Sequence, residues 1–109
     1  MPYIKEENRL LLDSCINEMI VCFKKTVSDK PFDKDELNNS EILEISGNIN
    51  YVFSRILSAL MGVPSYSKIA ILTGVLENIK QEFYRRVAEP YEDKKIVENG
   101  DIKEYKRLK

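Results

Sequence analysis

Apolar residues recur every three or four positions along three stretches of the chain, which is the spacing of an α-helix that buries one face. The clearest stripe occupies the middle of the chain and consists of Ile42, Ile45, Ile49, Val52, Ile56 and Ala59. An earlier stripe consists of Leu12, Ile16, Met19, Phe23 and Val27, and a later one of Ile69, Leu72, Leu76, Ile79, Phe83 and Val87. The spacing predicts helices over about 13–27, 40–61 and 65–89, each with its stripe buried.

The residues between these stripes favour turns. Pro31 disfavours helix at Lys30, the run 62–65 combines glycine with proline, and Pro90 is expected to end the third helix. We therefore predict an all-α fold, a three-helix antiparallel bundle with extended N- and C-terminal arms. The chain is treated as a single domain, 1–109, with an N-terminal arm at 1–12, the bundle at 13–89, and a C-terminal arm with a basic tail at 90–109.

The two cysteines, Cys15 and Cys22, lie seven residues apart on the first predicted helix. Two helical turns separate them by about 10 Å, which is too far for a disulfide. We predict reduced, buried core thiols.

Several kinds of chemistry lack their usual residues. Histidine is absent, the cysteines share one helix, and no glycine-rich phosphate loop occurs. Asp33, Asp35 and Glu44 have the spacing of some calcium ligands, but Leu37 and Asn38 do not fit an EF-hand, so a solvated acidic loop is the better interpretation. We expect no metal, no cofactor and no catalytic residues. Carboxylates near the end of the third helix leave a metal-dependent enzyme open as an alternative: Glu77, Glu82, Glu89, Glu92 and Asp93.

Charge and hydropathy limit the classes of partner that the chain is expected to bind. The formal net charge is −1, with 17 cationic and 18 anionic side chains, so no global positive field favours long nucleic acid. The first residues lack the apolar core of a secretory signal, and the longest purely apolar run, 19–23, is too short to span a membrane. We expect a cytoplasmic protein without membrane contact. Apolar edges on the first two helices exceed what three short helices bury, which favours a homo-oligomer.

Tyrosine and arginine side chains form the candidate binding site. Tyrosines can stack on a base and arginines can grip phosphate through two hydrogen bonds. The candidate residues are Tyr51, Arg55, Tyr84, Arg85, Arg86 and Tyr91. The same residue types dominate subunit contacts, so a subunit interface and a ligand pocket both remain open, and one surface can serve as both.

The stretch from Glu82 to Asp101 carries a resemblance to a known family. It reads EFYRRVAEPYED, then Lys-Ile and Glu-Asn-Gly-Asp, and it resembles a family of short phage and prophage proteins. The opening Met1-Pro2-Tyr3-Ile4, and Gly47 with Asn50, Tyr51 and Arg55, match the same family. Ile102 stands where the family has valine, and 103–109 extend past its usual end.

The size, helical character and phage origin of that family are similar to those of phage proteins that sequester nucleotide immune signals, the Sequestin and Lockin types. By this analogy, we expect a homo-oligomer that binds a cyclic ADP-ribose-type signal or a cyclic oligonucleotide without cleaving it, in an infected bacterial cell. The alternative is an adaptor or inhibitor that binds a host protein through the same Tyr/Arg surface.

Overall fold

The computed structural model describes residues 2–30 and 36–108, and these residues are mainly helical. The helices are α1, Glu6–Lys25; α2, Asn39–Met61; α3, Tyr66–Phe83; a five-residue π-helical segment, Tyr84–Ala88; α4, Glu89–Asn99; and α5, Lys103–Lys106. No strand occurs within the described residues. The predicted all-α class is confirmed. Asp33 and Asp35 of the acidic loop lie outside the described residues.

The chain divides into two compact units, and each is described by itself. The hairpin unit is Tyr3–Lys68, and the C-terminal unit is Ile69–Lys109 together with Met1–Pro2. The packing of a third helix against the first two, as in a three-helix bundle, stays a prediction.

In the hairpin unit, α2 begins with a capping box. The Asn38 side chain accepts from the Glu41 amide at 2.9 Å, and the Glu41 carboxylate accepts from the Asn38 amide at 3.0 Å. This reciprocal pair satisfies two amide groups that a helix start otherwise leaves unpaired. The predicted second helix, 40–61, is confirmed to within one residue.

Helices α1 and α2 pack as an antiparallel pair. Near the end of α1, Thr26 accepts from the Asn48 side chain at 3.4 Å. Earlier in α1, Met19 lines a groove with Ile56 and Ala59, later in α2. Because contacts move forward along α2 as they move backward along α1, the helices run in opposite directions. Ile45 is the one buried side chain among the described residues, at 4% exposure.

Helix α1 begins earlier than its apolar stripe indicates. The prediction started this helix at about residue 13, whereas Glu6 is already helical and Lys5 has an extended backbone, with φ −61° and ψ 145°. Glu6 and Glu7 occupy the first turn, where carboxylates interact favourably with the unpaired amides of the helix dipole. The predicted arm at 1–12 is therefore wrong from Glu6 onward.

The predicted buried positions are mostly exposed. Cys15 and Cys22 are free thiols, as predicted, but both are exposed rather than buried. In the third stripe, Leu72 is half-buried and the other five positions are exposed. An apolar stripe indicates which face of a helix favours burial, but that face is buried only where a neighbouring helix covers it.

The C-terminal unit remains helical well past the predicted stop. Pro90 was expected to end the third helix and to begin an extended arm at 90–109, but the backbone stays helical to Asn99. The helix ends at Gly100, whose φ of 86° and ψ of 153° fall in a region that only glycine adopts readily. The extended arm is therefore wrong for 90–99.

Candidate functional site

The π-helical segment coincides with the tyrosine and arginines that the sequence singles out. Its residues are Tyr84–Ala88, and the amide of Glu89 donates to the carbonyl of Tyr84, five residues earlier. Pro90 supplies a physical reason: in an α-helix it has no N–H to donate, and its ring would collide with the Arg86 carbonyl. The wider π turn keeps the backbone helical past the proline, and such turns are frequent at functional sites.

The π segment also sets which side chains share a face. The Tyr84 hydroxyl donates to the Glu92 carboxylate at 2.8 Å. Residues eight apart on a regular α-helix point about 80° away from each other, whereas residues seven apart nearly coincide. One additional residue in the π turn makes an eight-residue spacing equivalent to seven. The accepted hydrogen bond and the charge of Glu92 raise the pKa of the Tyr84 hydroxyl, with smaller contributions from desolvation and from Glu89.

The two consecutive arginines have different environments. Arg85 forms an ion pair with the half-buried Glu82, three residues earlier. Helical spacing also allows pairs four residues apart, Glu82 with Arg86 and Arg85 with Glu89, and the observed pair is neither. Arg86 is exposed and has no ion pair or hydrogen bond with any residue in 2–30 or 36–108. Within this described part of the chain, no residue occupies the five donors of its guanidinium.

A groove of about 590 Å³ lies beside the π segment. It is lined by Glu77, Asn78, Lys80, Gln81, Glu82, Tyr84, Arg85 and Glu89. Three carboxylates against two cations leave a formal charge of −1. Both cations have carboxylate partners, since Lys80 lies 3.9 Å from Glu77 and Arg85 pairs with Glu82. The groove suits hydrogen-bond donors, while Arg86 lies outside its lining.

Tyr91 presents an exposed aromatic ring in the first turn of α4. The ammonium of Lys95 lies 5.6 Å from the ring centroid, within the range of a cation–π interaction. Lys95 also donates to Glu98 at 3.1 Å. Tyr91 thus has one neighbouring cation held in place by a carboxylate.

Tyr51 and Arg55 belong to the hairpin unit, on α2. The Arg55 guanidinium lies 5.8 Å from the Tyr51 ring centroid. Both line a groove of about 260 Å³ between α1 and α2, whose remaining lining is apolar: Met19, Val52, Ile56 and Ala59. This groove combines an apolar lining with one aromatic ring and one cation.

The six predicted residues therefore form two groups. Tyr84, Arg85, Arg86 and Tyr91 lie on one continuous helix of the C-terminal unit, while Tyr51 and Arg55 lie in the hairpin unit. The sequence interpretation missed the polar groove residues Asn78, Lys80 and Gln81, and it missed the partnership of Glu92 with Tyr84. An α-helical period cannot reveal that partnership, although a proline within a helical stretch was a signal that the register changes.

Within residues 2–30 and 36–108, no group of three or more Cys, Asp or Glu side chains is placed to hold a metal ion. In the same described part, no helix has both the length and the apolar character that crossing a membrane requires.

Comparisons with known proteins place the chain in a family. Comparison with curated proteins gave no match, and comparison with solved structures also gave none. A family model described as a domain of unknown function, DUF6899, matches residues 1–102. The match spans both units and includes all six candidate residues, and it ends before α5. The chain therefore belongs to the DUF6899 family, whose function is unknown.

Proposed function

We propose that this chain is a phage or prophage protein that binds and sequesters a nucleotide-derived immune signal without cleaving it. The signal is of the cyclic ADP-ribose type or a cyclic oligonucleotide, and its capture blocks host anti-phage defence. Support comes from the resemblance of Glu82–Asp101 to a phage family and from the chemistry of the π segment. In this proposal Arg86 binds a phosphate of the signal, and Tyr84 and Tyr91 stack on its base.

The observation that carries this proposal is that the guanidinium of Arg86 forms no ion pair with any described residue. Its neighbour Arg85 is neutralised by Glu82, but Arg86 has no carboxylate partner among the described residues. A planar guanidinium without a partner is the donor set that binds phosphate oxygens through two parallel hydrogen bonds. The exposed rings of Tyr84 and Tyr91 supply flat apolar faces on the same helix.

The charges of the groove and of Arg86 indicate where the different parts of the ligand bind. The groove has a formal charge of −1, so under this proposal phosphate binds at Arg86 and not within the groove. The groove's carboxylates and amides accept hydrogen bonds, which suits the amino group of a base or the hydroxyls of a ribose. Tyr51 and Arg55 offer the same aromatic–cation pairing in the hairpin unit.

The proposal includes a setting. The protein acts in the cytoplasm of the infected cell as a homo-oligomer, and it does not bind long nucleic acid. The formal net charge of −1 supports the last point, because binding of a nucleic-acid backbone without sequence preference depends on an excess of cations.

An incubation experiment tests the proposal. The protein is mixed with each member of a panel of cyclic ADP-ribose isomers and cyclic dinucleotides, separated from free ligand, and then denatured. Recovery of intact signal from the protein, reduced in Arg86→Ala and unchanged in Arg107→Ala, is the expected result. Recovery of an altered signal would instead indicate a hydrolytic enzyme.

A second candidate function is an adaptor or inhibitor that binds a host protein. The favouring observation is that the helical stretch whose residues line the negatively charged groove also exposes apolar side chains: Phe83 and Val87 are both exposed. Exposed aromatic residues beside arginines are typical of interaction hot spots. Absence of uptake for every signal in the panel, with the protein folded, would favour this candidate.

A further inference from the structure

The hairpin unit exposes apolar side chains along both α1 and α2. We define the hairpin face as four residues of α1 and three of α2: Leu12, Ile16, Met19, Ile20, Phe53, Ile56 and Leu60. Each series follows helical spacing, so each forms a row on one side of its helix. Met19 and Ile56 line the same groove between the helices, which joins the two rows.

The hairpin face has the area that an interface core needs. Its side chains are 38–77% exposed, and fully burying a side chain of this kind removes roughly 60–120 Å² of apolar surface. Seven such side chains at about half exposure offer roughly 200–400 Å². A standard interface buries about 800 Å² on each partner, of which somewhat more than half is apolar. The hairpin face therefore provides most of the apolar core of such an interface.

The charges at the ends of α1 indicate which partner fits. Glu6 and Glu7 lie in its first turn, and Lys24 and Lys25 lie in its last turn. The helix has 20 residues and is therefore about 30 Å long. An identical helix in the opposite direction would place its basic end against this acidic end, and the reverse at the other end. This arrangement is the self-complementarity that a two-fold axis requires.

We propose that the hairpin face is the contact between two copies of this chain, related by a two-fold axis, with their α1 helices antiparallel. Four helices, two from each copy, then enclose the apolar rows that two helices leave exposed. The proposal defines the surface and the geometry of self-association, and it does not depend on which ligand the π segment binds.

The first arm of the test measures mass over a range of concentrations by sedimentation equilibrium. The parent chain is expected at twice its mass of 12.7 kDa at micromolar concentration. Ile16→Asp places a carboxylate within the hairpin face and should weaken the dimer at least about 100-fold, since an unpaired buried charge is strongly unfavourable. Val97→Asp on α4, at an 86% exposed position, is the matched control and should leave the dimer unchanged.

The second arm keeps the apolar face intact and changes only charge. Glu6→Lys with Glu7→Lys gives an α1 that is basic at both ends, and Lys24→Glu with Lys25→Glu gives one that is acidic at both ends. Each variant alone should dimerise about tenfold more weakly or worse at low salt, because like charges meet at both ends. An equal mixture of the two should regain the parent's affinity, since every end then faces its opposite.

Three results would overturn the proposal. They are a parent chain that is monomeric at all concentrations, a dimer that Val97→Asp disrupts and Ile16→Asp does not, and a mixture that associates no better than either charge variant alone. A monomer in which Ile16→Asp lowers the melting temperature would show that another part of the same chain covers the face. Nucleotide retention is measured separately, so a monomer that still binds signal would overturn this proposal and the homo-oligomeric setting, but not the proposed sequestration of the signal.

Discussion

The hairpin unit and the C-terminal unit are both helical, but contacts of different range hold them. In the hairpin, Asn48 donates to Thr26, and Met19 lines the same groove as Ile56, so residues more than 20 positions apart define the geometry. In residues 69–108 of the C-terminal unit, side-chain pairs such as Arg85 with Glu82 and Tyr84 with Glu92 join residues three to eight apart. The hairpin therefore depends on packing, whereas the C-terminal unit depends on helical register.

This difference matters for the candidate site. A register-dependent surface keeps its arrangement only while the helix keeps its period, and one π turn changes which residues share a face. Substitutions that alter packing should act on the hairpin, and substitutions that alter the backbone should act on the π segment. The following experiments separate the two.

The largest effect is expected from Ile45→Ala in the hairpin. Ile45 is 4% exposed, and truncation of a buried isoleucine typically costs about 2–5 kcal/mol of unfolding free energy. Leu43→Ala, two residues earlier and 76% exposed, is the matched control and should change stability by about 0.5 kcal/mol or less. Urea denaturation measures both, and equal losses would mean that Ile45 is not the core.

A pair of glycine substitutions tests the backbone of the C-terminal unit. Gly100→Ala forces alanine into a region near φ 86° and should destabilise by about 1–3 kcal/mol. Gly74→Ala, within α3, should instead stabilise by about 0.5–1 kcal/mol, because alanine is the better helix former. An added Cβ meets nothing within 4 Å at either position, so only backbone conformation distinguishes them. Effects of the same sign would contradict this account of the helix end.

The ionisation of Tyr84 provides a smaller effect that reports on register. Its hydrogen bond to Glu92 raises its pKa above the ordinary value of 10.0. Because the folded pKa exceeds the unfolded one, the bond's contribution to stability is complete below pH 10 and is lost as the pH rises through the folded pKa. Ultraviolet titration should show Tyr84 ionising late in the parent and closer to its ordinary pKa in Glu92→Gln, where only the smaller contributions of desolvation and Glu89 remain. An unchanged titration would mean that the bond does not form in solution.

Pro90→Ala tests the cause of the π turn with the smallest expected change. Alanine restores the amide that an α-helix needs and removes the ring that collides with the Arg86 carbonyl. The turn should then become regular α-helix, which moves Tyr84 and Glu92 about 80° apart. The late-ionising tyrosine should disappear as it does in Glu92→Gln, with helix content kept or increased by circular dichroism. Its persistence would show that something other than Pro90 maintains the π turn.

The sequence was enough to predict the elements whose boundaries depend on local pattern. The stripe from Ile42 to Ala59 and the turn after Met61 predicted α2 closely, because period and breakers are local properties. The burial of the third stripe could not be predicted, because periodicity shows a face without showing what covers it. The stop at Pro90 was wrong, since a π turn accommodates a proline that a regular helix does not.

For the candidate site, too, the sequence was sufficient for local features and insufficient for those that depend on the folded backbone. Adjacency in sequence was enough to place Tyr84, Arg85 and Arg86 on one segment. It was not enough to show that Arg85 pairs with Glu82 while Arg86 stays available, because three- and four-residue spacings were equally open. The hydrogen bond from Tyr84 to Glu92 could be recognised only from the backbone structure, because it depends on the π turn.

The central claim is that Arg86 of the π segment grips the phosphate of a sequestered nucleotide signal, and calorimetry of Arg86→Ala tests it most directly. Parent, Arg86→Ala and the control Arg107→Ala are titrated with cyclic ADP-ribose isomers and cyclic dinucleotides. Loss of a phosphate-gripping arginine should cost about 2–5 kcal/mol, or roughly 30- to 5,000-fold in affinity at 1.4 kcal/mol per decade. Arg107→Ala should bind as the parent does. Binding by folded Arg86→Ala with the parent's affinity, or no binding by the parent to any member of the panel, would contradict the claim.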